Sequence, residues 1–424
     1  MQEKIRPGYK QTDIGLVPED WDVLLVDDLV MSGVIEKPMD GNHGAIHPKS
    51  SDFVDFGVPF VMANHVYQGV LDLDTCPHIS RKQADSLQKG FARSGDILLT
   101  HKATIGETAI VGKIPFDYIM LTPQVTFYRV RMPEKISRDY LFHYFNGSIF
   151  QEHLKLLSGG GTRSYIGITA QRMLRVVLPR RIVEQNAIAD ALSDADARIA
   201  ALEALIAKKR DIKQAAMQQL LTGKTRLPGF SGEWEVKPLG DLISAIGDGG
   251  TPATSNLQNF GGGVHWVVID DIKPEIWTTK NSLSEAGLAR CSAKLWPAGT
   301  LILSTGATIG EVGVARIPVA TKQGICGIVF DPRSAHVQFM KYWFSLNRPL
   351  LLSKAQGSTI FEVRPPTLVK IEGLFPEIVE QTAIAEILSD MDAELAALEA
   401  EVEKAHTIKQ GMMQNLLTGK VRLV

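Results

Sequence analysis

The segment IVEQNAIADALSDADARIAALEALIAKKRDIKQAAMQQLLTGKTRL, Ile182 to Leu227, returns as IVEQTAIAEILSDMDAELAALEAEVEKAHTIKQGMMQNLLTGKVRL from Ile378 to Leu423. About two-thirds of the positions are identical and no gap separates the copies, so the chain must accommodate one structural unit twice.

Each copy has the pattern of a long helix with a sticky seam. In the first, Ile188, Leu192, Ala195, Ile199, Leu202 and Ile206 alternate by four and three; Ile384, Leu388, Met391, Leu395, Leu398 and Val402 fall at the matching places in the second. That is the 3.5 period of a coiled coil, which predicts that the two seams face each other. Ala, Leu, Glu, Lys and Gln fill the positions between, and neither run meets Pro or Gly before Gly411. Gly223 and Gly419 are placed to close the helices. At about 1.5 Å per residue, some 40 residues span on the order of 60 Å.

A chain of 424 residues exceeds one ordinary core, and the repeat divides it into a first head (1–180), a first helix (181–224), a second head (225–376) and a second helix (377–424). No run approaches the ~18 apolar residues of a membrane helix, and the opening MQEKIRPGYKQTD has no apolar signal core, so a cytoplasmic location is expected. Cys76, Cys291 and Cys326 are odd in number and lack CxxC spacing, which supports neither a disulfide framework nor a zinc site. A net charge of −2 does not advertise nucleic-acid binding; a DNA-binding chain of this charge must segregate its basic residues or share phosphate contacts with a partner.

The heads are diverged copies. Trp21 matches Trp234 and Leu29 matches Leu242; VPFVMANHV from Val58 parallels VHWVVIDDI from Val264. The closest match sets GDILLTHKATIGETAIV from Gly95 against GTLILSTGATIGEVGVA from Gly299, an apolar strand running into Ala-Thr-Ile-Gly-Glu in both. A further strand, QVTFYRV or QGICGIVF, then precedes amphipathic helices with an aromatic face, a Gly-rich turn, and a short strand ending at Pro179 or Pro376. The helices kept their sequence while the heads kept only strand cores and turns. The chain ends at LLTGKVRLV where the first copy runs on into the next head, and the N-terminal PGYKQTDIGLVPEDW supplies the continuation, so the order of units is circular. The expected fold is α+β: two mixed α/β heads separated by two long helices that form an antiparallel coiled coil, with a pseudo-two-fold relation between the repeats.

The opening PGYKQTDIGLVPEDW, ATIGE in each head, the helix starts LPRRIVEQNAIADALSDADARI and FPEIVEQTAIAEILSDMDAEL, and the two LLTGK ends resemble the specificity subunit of Type I restriction-modification systems along essentially the whole chain. The resemblance implies two target recognition domains reading the halves of a bipartite double-stranded DNA site. It also implies helices that set a non-specific gap and bind two methyltransferase subunits, to which motor-nuclease restriction subunits join. The second head departs at FEVRPPTL, where a Pro pair replaces a softer loop.

Catalytic signatures are missing from the sequence. There is no Asn/Asp-Pro-Pro-aromatic motif, no Gly-rich cofactor loop and no GxxxxGK[ST], so S-adenosylmethionine and ATP with Mg²⁺ are expected in partner subunits, with no cofactor in this chain. Glu235 and Lys237 match only the tail of a nuclease motif, and His43 and His47 lie in a Gly- and Pro-broken loop unsuited to a metal. Base and phosphate contacts are expected from head loops: Lys49, Arg81 and Lys82; the turn with His101, Lys102 and Thr104; Arg163 and Tyr165 around the glycines; and Thr305 and Thr308. The turn hydroxyls also suit a purely structural β-turn, and Arg163 and Tyr165 a solvated connection. His47, Lys49, Arg81, Lys82, Lys89, His101 and Lys102 would have to share one face to act together. Met217, Met412 and Met413 have the character of packing residues, which leaves the exposed helix faces as the docking surface for a methyltransferase.

The sequence therefore points to a DNA-recognition subunit without catalysis of its own; the alternative is a coiled-coil scaffold with two protein-binding heads. In the first reading, inserting four residues near Ala204 lengthens the recognised gap by one or two base pairs, since ~6 Å of helix is under two rises of about 3.4 Å. Methylation-site sequencing checks this, and an unchanged gap would refute the spacer role.

Overall fold

A computed structural model of the chain describes residues 7–158, 165–356 and 361–423. Two compact units emerge, Met1–Leu202 with Glu401–Val424 and Glu203–Ala400. Each therefore combines one head, the start of one long helix and the end of the other.

The first head contains a four-stranded antiparallel sheet in the order Thr104–Ile110, Ile97–Lys102, Val125–Tyr128, Met39–Asp40. The second contains a sheet in the order Ile243–Asp248, Ile325–Phe330, Leu301–Ser304, Val312–Ala315, Glu275–Ile276. The central strand of each opens on an unbroken apolar run, Ile97 to Leu99 and Leu301 to Leu303, because both of its faces are covered there. Ile97 and Leu99 join one buried cluster while Leu98 joins another; Leu301 and Leu303 divide from Ile302 in the same way. Each head adds a second small sheet with a parallel pairing, Met120 to Phe60 in one and Trp266 to Ala320 in the other.

The aromatic stretches after these sheets are each two short helices rather than one, Arg138–Asn146 with Ser148–Leu157 and Val337–Leu346 with Arg348–Lys354. Gly147 interrupts the first pair, and Pro349 sits in the first turn of the last helix, a position that tolerates the missing amide. The Pro pair of the second head opens one helical turn, Pro365–Leu368, matching Ile168–Gln171 in the first.

The long helices run Ile182–Leu220 and Ile378–Leu416. Within each unit their segments are antiparallel: Asp196 pairs with Lys409 and Arg198 with Glu401 in the first, Lys209 with Glu394 and Arg210 with Glu399 in the second. Of the predicted seam, Ile188, Leu192, Ile199, Ile206, Ile384, Leu388 and Leu395 are buried. Leu202, Leu398 and Val402 are half-buried. Gly223 and Gly419 both take φ of +69°, the left-handed cap conformation. Met217 lies in the core of the second unit, and Met412 and Met413 pack against that of the first.

The repeated IVEQ has a tertiary purpose. Glu184 receives Arg422 from the end of the other helix (Oε2 to Nη2 2.8 Å), as Glu380 receives Arg226 (2.6 and 2.7 Å). Each guanidinium also lies over a tryptophan ring, 5.6 Å from the centre of Trp21 and 5.8 Å from that of Trp234. Both carboxylates sit in the first helical turn, where the helix dipole favours negative charge. The neighbouring Gln185 accepts from the Ser137 amide (2.8 Å) and donates to Pro179 O (2.7 Å); Gln381 accepts from the His336 amide and donates to Pro376 O, both at 3.0 Å. In this way the circular order of the sequence becomes two equivalent joints.

A second joint fastens each aromatic helix to the long helices. His143 Nε2 lies 3.0 Å from Ser193 Oγ, with Asp196 beyond, while in the second unit Tyr342 lies 3.2 Å from Ser389 Oγ and donates to Asp392 at 2.7 Å. Burial, reinforced by Lys409 and opposed by Asp196 and Asp139, pushes the pKa of His143 down to about 4. The fold therefore holds a neutral imidazole. Its contribution is full above the unfolded value near 6.5 and is lost as pH falls toward 4, by about 3 kcal/mol at most. His143→Tyr, which copies the second unit, is expected to flatten the fall in melting temperature between pH 7.5 and pH 5; an equally steep fall would show that other groups set it.

Candidate nucleic-acid interface

In the first head the strands Ile97–Lys102 and Thr104–Ile110 meet at Ala103, whose φ of +71° makes the turn. Lys102, Ala103 and Thr104 are exposed there. Tyr165 joins them through a β-bridge to Lys102, its ring 6.0 Å from the ammonium, and is 46% exposed. Three of the predicted contact residues thus converge on one tip. His101 lies beneath it, fully buried, its Nδ1 3.0 Å from Ile166 O and its ring 5.7 Å from that of Tyr165. Burial lowers its pKa, so it holds the returning strand as a neutral ring rather than offering a cation.

The other candidates lie on separate segments. Arg81 is held by Asp85 and Asp117 above the Tyr118 ring, so its charge is already matched. Lys82 is exposed beside it, and Lys49 is exposed at a short turn where its amide donates to Asp52. Arg163 lies outside the described residues.

The second head builds the same tip differently. Thr305 is fully buried, and its backbone accepts from Val363 as His101 accepts from Ile166. Thr308 is exposed, in a turn rather than a strand. The hydroxyls of Thr100 and Ser304 accept from the Glu107 and Glu311 amides (3.0 and 2.9 Å), so these two serve the turn itself. Gly106 and Gly310 explain why ATIGE recurs: both have positive φ, and an added Cβ would come within 2.3 Å of Gln151 and 2.5 Å of Arg348.

Sequence reading missed the aspartates at the strand ends beside the tips. Asp40 and Asp248 each precede a glycine that has no room for Cβ, Gly41 against Leu121 O and Gly249 against Lys322 O; the repeated Asp-Gly pair was the available signal. Burial raises the pKa of Asp40, but hydrogen bonds from Lys89 and His43 hold it below its ordinary value. Among the described residues Asp248 has no such donors. Burial, reinforced by Glu362 and opposed by Arg364, pushes its pKa up.

This doubled architecture is that of a DNA specificity protein. The sequence model of the Type I restriction modification DNA specificity domain matches residues 18–211 and again 231–406, and the chain belongs to that family. Among its relatives, the type I restriction enzyme MjaVIII specificity subunit of Methanocaldococcus jannaschii is 22% identical over 446 residues, covering 100% of this chain and 98% of that one. The MjaIX specificity subunit of the same organism is 30% identical over 167 residues, 38% of each chain. Two solved structures share the fold. A chain from a structure concerning complex assembly and conformational transition of the type I R-M system aligns with a TM-score of 0.62 at 16% identity, covering 96% of this chain and 99% of that one. The type I S subunit from M. genitalium aligns with a TM-score of 0.57 at 13% identity, covering 97% of each.

The left-handed Ala103 marks a site where the tip's shape is kept at the expense of stability. Ala103→Gly is expected to stabilise the chain by roughly 0.5–1 kcal/mol in chemical denaturation. A loss of stability would mean that the Ala103 methyl group makes contacts outweighing its backbone strain.

Proposed function

We propose that the protein recognises a two-part DNA target, each head reading one part, as the specificity subunit of a Type I restriction-modification complex. The observation that carries this is the contrast between the heads: one framework, ATIGE over a buried strand end, presents Lys102 and Tyr165 in one and Gly306 and Glu362 in the other. A frame kept constant under changed surface chemistry suits two readers of different sequence. Exposed Lys102 and Thr104 suit phosphate and base-edge contacts of the kind that position and specify.

In this reading the chain performs no catalysis. S-adenosylmethionine, ATP and Mg²⁺ belong to two methyltransferase subunits and to motor-nuclease subunits. The long helices offer docking surface in each unit: Ala191, Ala195, Ile408 and Met412 line a groove in the first, and Phe230, Val379 and Thr382 line another in the second. Ile408 and Val379 are 51% and 64% exposed, apolar area that suits a partner helix.

The test is co-expression with a cognate methyltransferase followed by sequencing of genomic DNA with modified-base detection. The expected result is one split motif, methylated on adenine in both halves. No new methylation from an assembled complex would turn the assignment toward a scaffold with protein-binding heads.

A further inference from the structure

The second head carries a carboxylate, Asp248, for which the described residues supply no hydrogen-bond donor. Asp248 ends the strand Ile243–Asp248, in register with Cys326, and the two glycines after it are wedged against the chain. A Cβ on Gly249 would lie 2.2 Å from Lys322 O and one on Gly250 2.4 Å from the Ala293 amide. Among the described residues, Asp248 Oδ1 is out of reach of solvent and has no hydrogen-bond partner. The hydroxyls of Thr305 and Thr321 are in the same position, each on a fully buried residue. Both flank this strand end: Thr321 O accepts from Gly250, and the Thr305 amide donates to Gly324 O, each at 2.9 Å. The equivalent Asp40 of the first head is matched by Lys89 and His43, although His101 Nε2, at the place of Thr305, and Thr122 Oγ1, one residue past the place of Thr321, are likewise without partners among the described residues; what is particular to the second head is the bare carboxylate.

The rim carries the cations Lys294, Lys322 and Arg364 and the acid Glu362, which pairs with Arg364. Lys294 and Lys322 are exposed on the two segments that wedge the Gly-Gly turn, and the Lys294 ammonium would lie 3.6 Å from a Cβ on Gly247. Arg364, with its side chain 75% exposed, reaches Glu362 at 3.2 Å, one residue before the Val363 that bonds Thr305. An acceptor without a donor costs free energy unless a ligand supplies one, and since Oδ1 itself is sealed while Asp248 as a whole is only half-buried, that ligand must reach the carboxylate from its exposed side. A carboxylate can approach DNA only where cations offset its repulsion from phosphates.

We infer that Asp248 reads one base of the second half-site, accepting a hydrogen bond from the exocyclic amino group of a cytosine or adenine in the major groove, while Lys294, Lys322 and Arg364 hold the flanking phosphates. Cytosine presents its N4 amino group and adenine its N6 amino group in that groove, whereas the guanine and thymine edges offer acceptors that a carboxylate repels. The inference rests on the DNA-recognition reading above.

The experiment uses the full chain assembled with its methyltransferase, on the target identified by methylation sequencing. Competition binding scans duplexes in which single bases lose their amino group, purine for adenine and 2-pyrimidinone for cytosine. One such replacement in the half-site read by the second head is expected to weaken wild-type binding roughly 10- to 100-fold, and which analogue does so names the base. Asp248→Ala should lose a similar factor on the unmodified duplex, become indifferent to that analogue, and melt no lower than wild type, since it removes an unsatisfied group. The inference is overturned if no analogue in that half-site weakens the wild type, if Asp248→Ala binds within twofold, or if analogue and variant effects simply add. Should Asp248→Ala fail to fold, Asp248→Asn enters the same cycle, and the wild-type scan alone still decides against the inference. A wild-type complex that yields no motif at all overturns the underlying reading instead.

Discussion

Each unit depends on one charged pair that joins residues far apart in the chain. Glu184 takes Arg422 across 238 residues and Glu380 takes Arg226 across 154, each carboxylate almost wholly buried and each guanidinium against a tryptophan. A buried carboxylate is tolerable only with a matched partner, and Arg supplies two parallel donors in fixed geometry. Once that pair forms, the start of one long helix, the end of the other and the base of a head are held together, and the adjacent glutamine ties in the loop before the aromatic helix.

The conserved and variable parts of the chain follow from this. Residues that meet at the joints recur in both copies: the Glu-Gln pair, Ser193 and Ser389, Asp196 and Asp392, and the arginines Arg226 and Arg422 just after the TGK ends. Where a head meets the helices the chemistry is allowed to change in kind, His143 in one unit and Tyr342 in the other, provided a polar ring still reaches the same serine. At the tips nothing but the turn is shared. Recognition surfaces can then diverge without loosening the frame, which is what a reader of two unlike half-sites requires.

The difference between Asp40 and Asp248 shows how such divergence works physically. Both occupy the same strand end before an obligatory glycine. One is matched internally by Lys89 and His43 and serves the fold; the other has no donor among the described residues and lies near exposed cations and Glu362. The presence of an aspartate is therefore uninformative by itself, and its hydrogen-bond balance separates a structural group from one available to a ligand.

By itself the sequence determined the doubled plan, the two long helices and their seam, and the buried central strands, because repeats and apolar periods are local records of what a segment must cover. It also singled out Lys102 and Thr104, since a strand running into a shared turn marks an exposed end, and separately Tyr165 after the glycines, which only the structure brings to that turn. The tertiary structure decided the rest. His101 sits in the candidate turn yet points inward, and Arg81 is a surface cation already matched by two carboxylates. The IVEQ acids looked like ordinary helix starts until Arg226 and Arg422 came to meet them. Charge balance and hydrogen-bond satisfaction are set by partners tens to hundreds of residues away, and no spacing along the chain encodes which partner arrives.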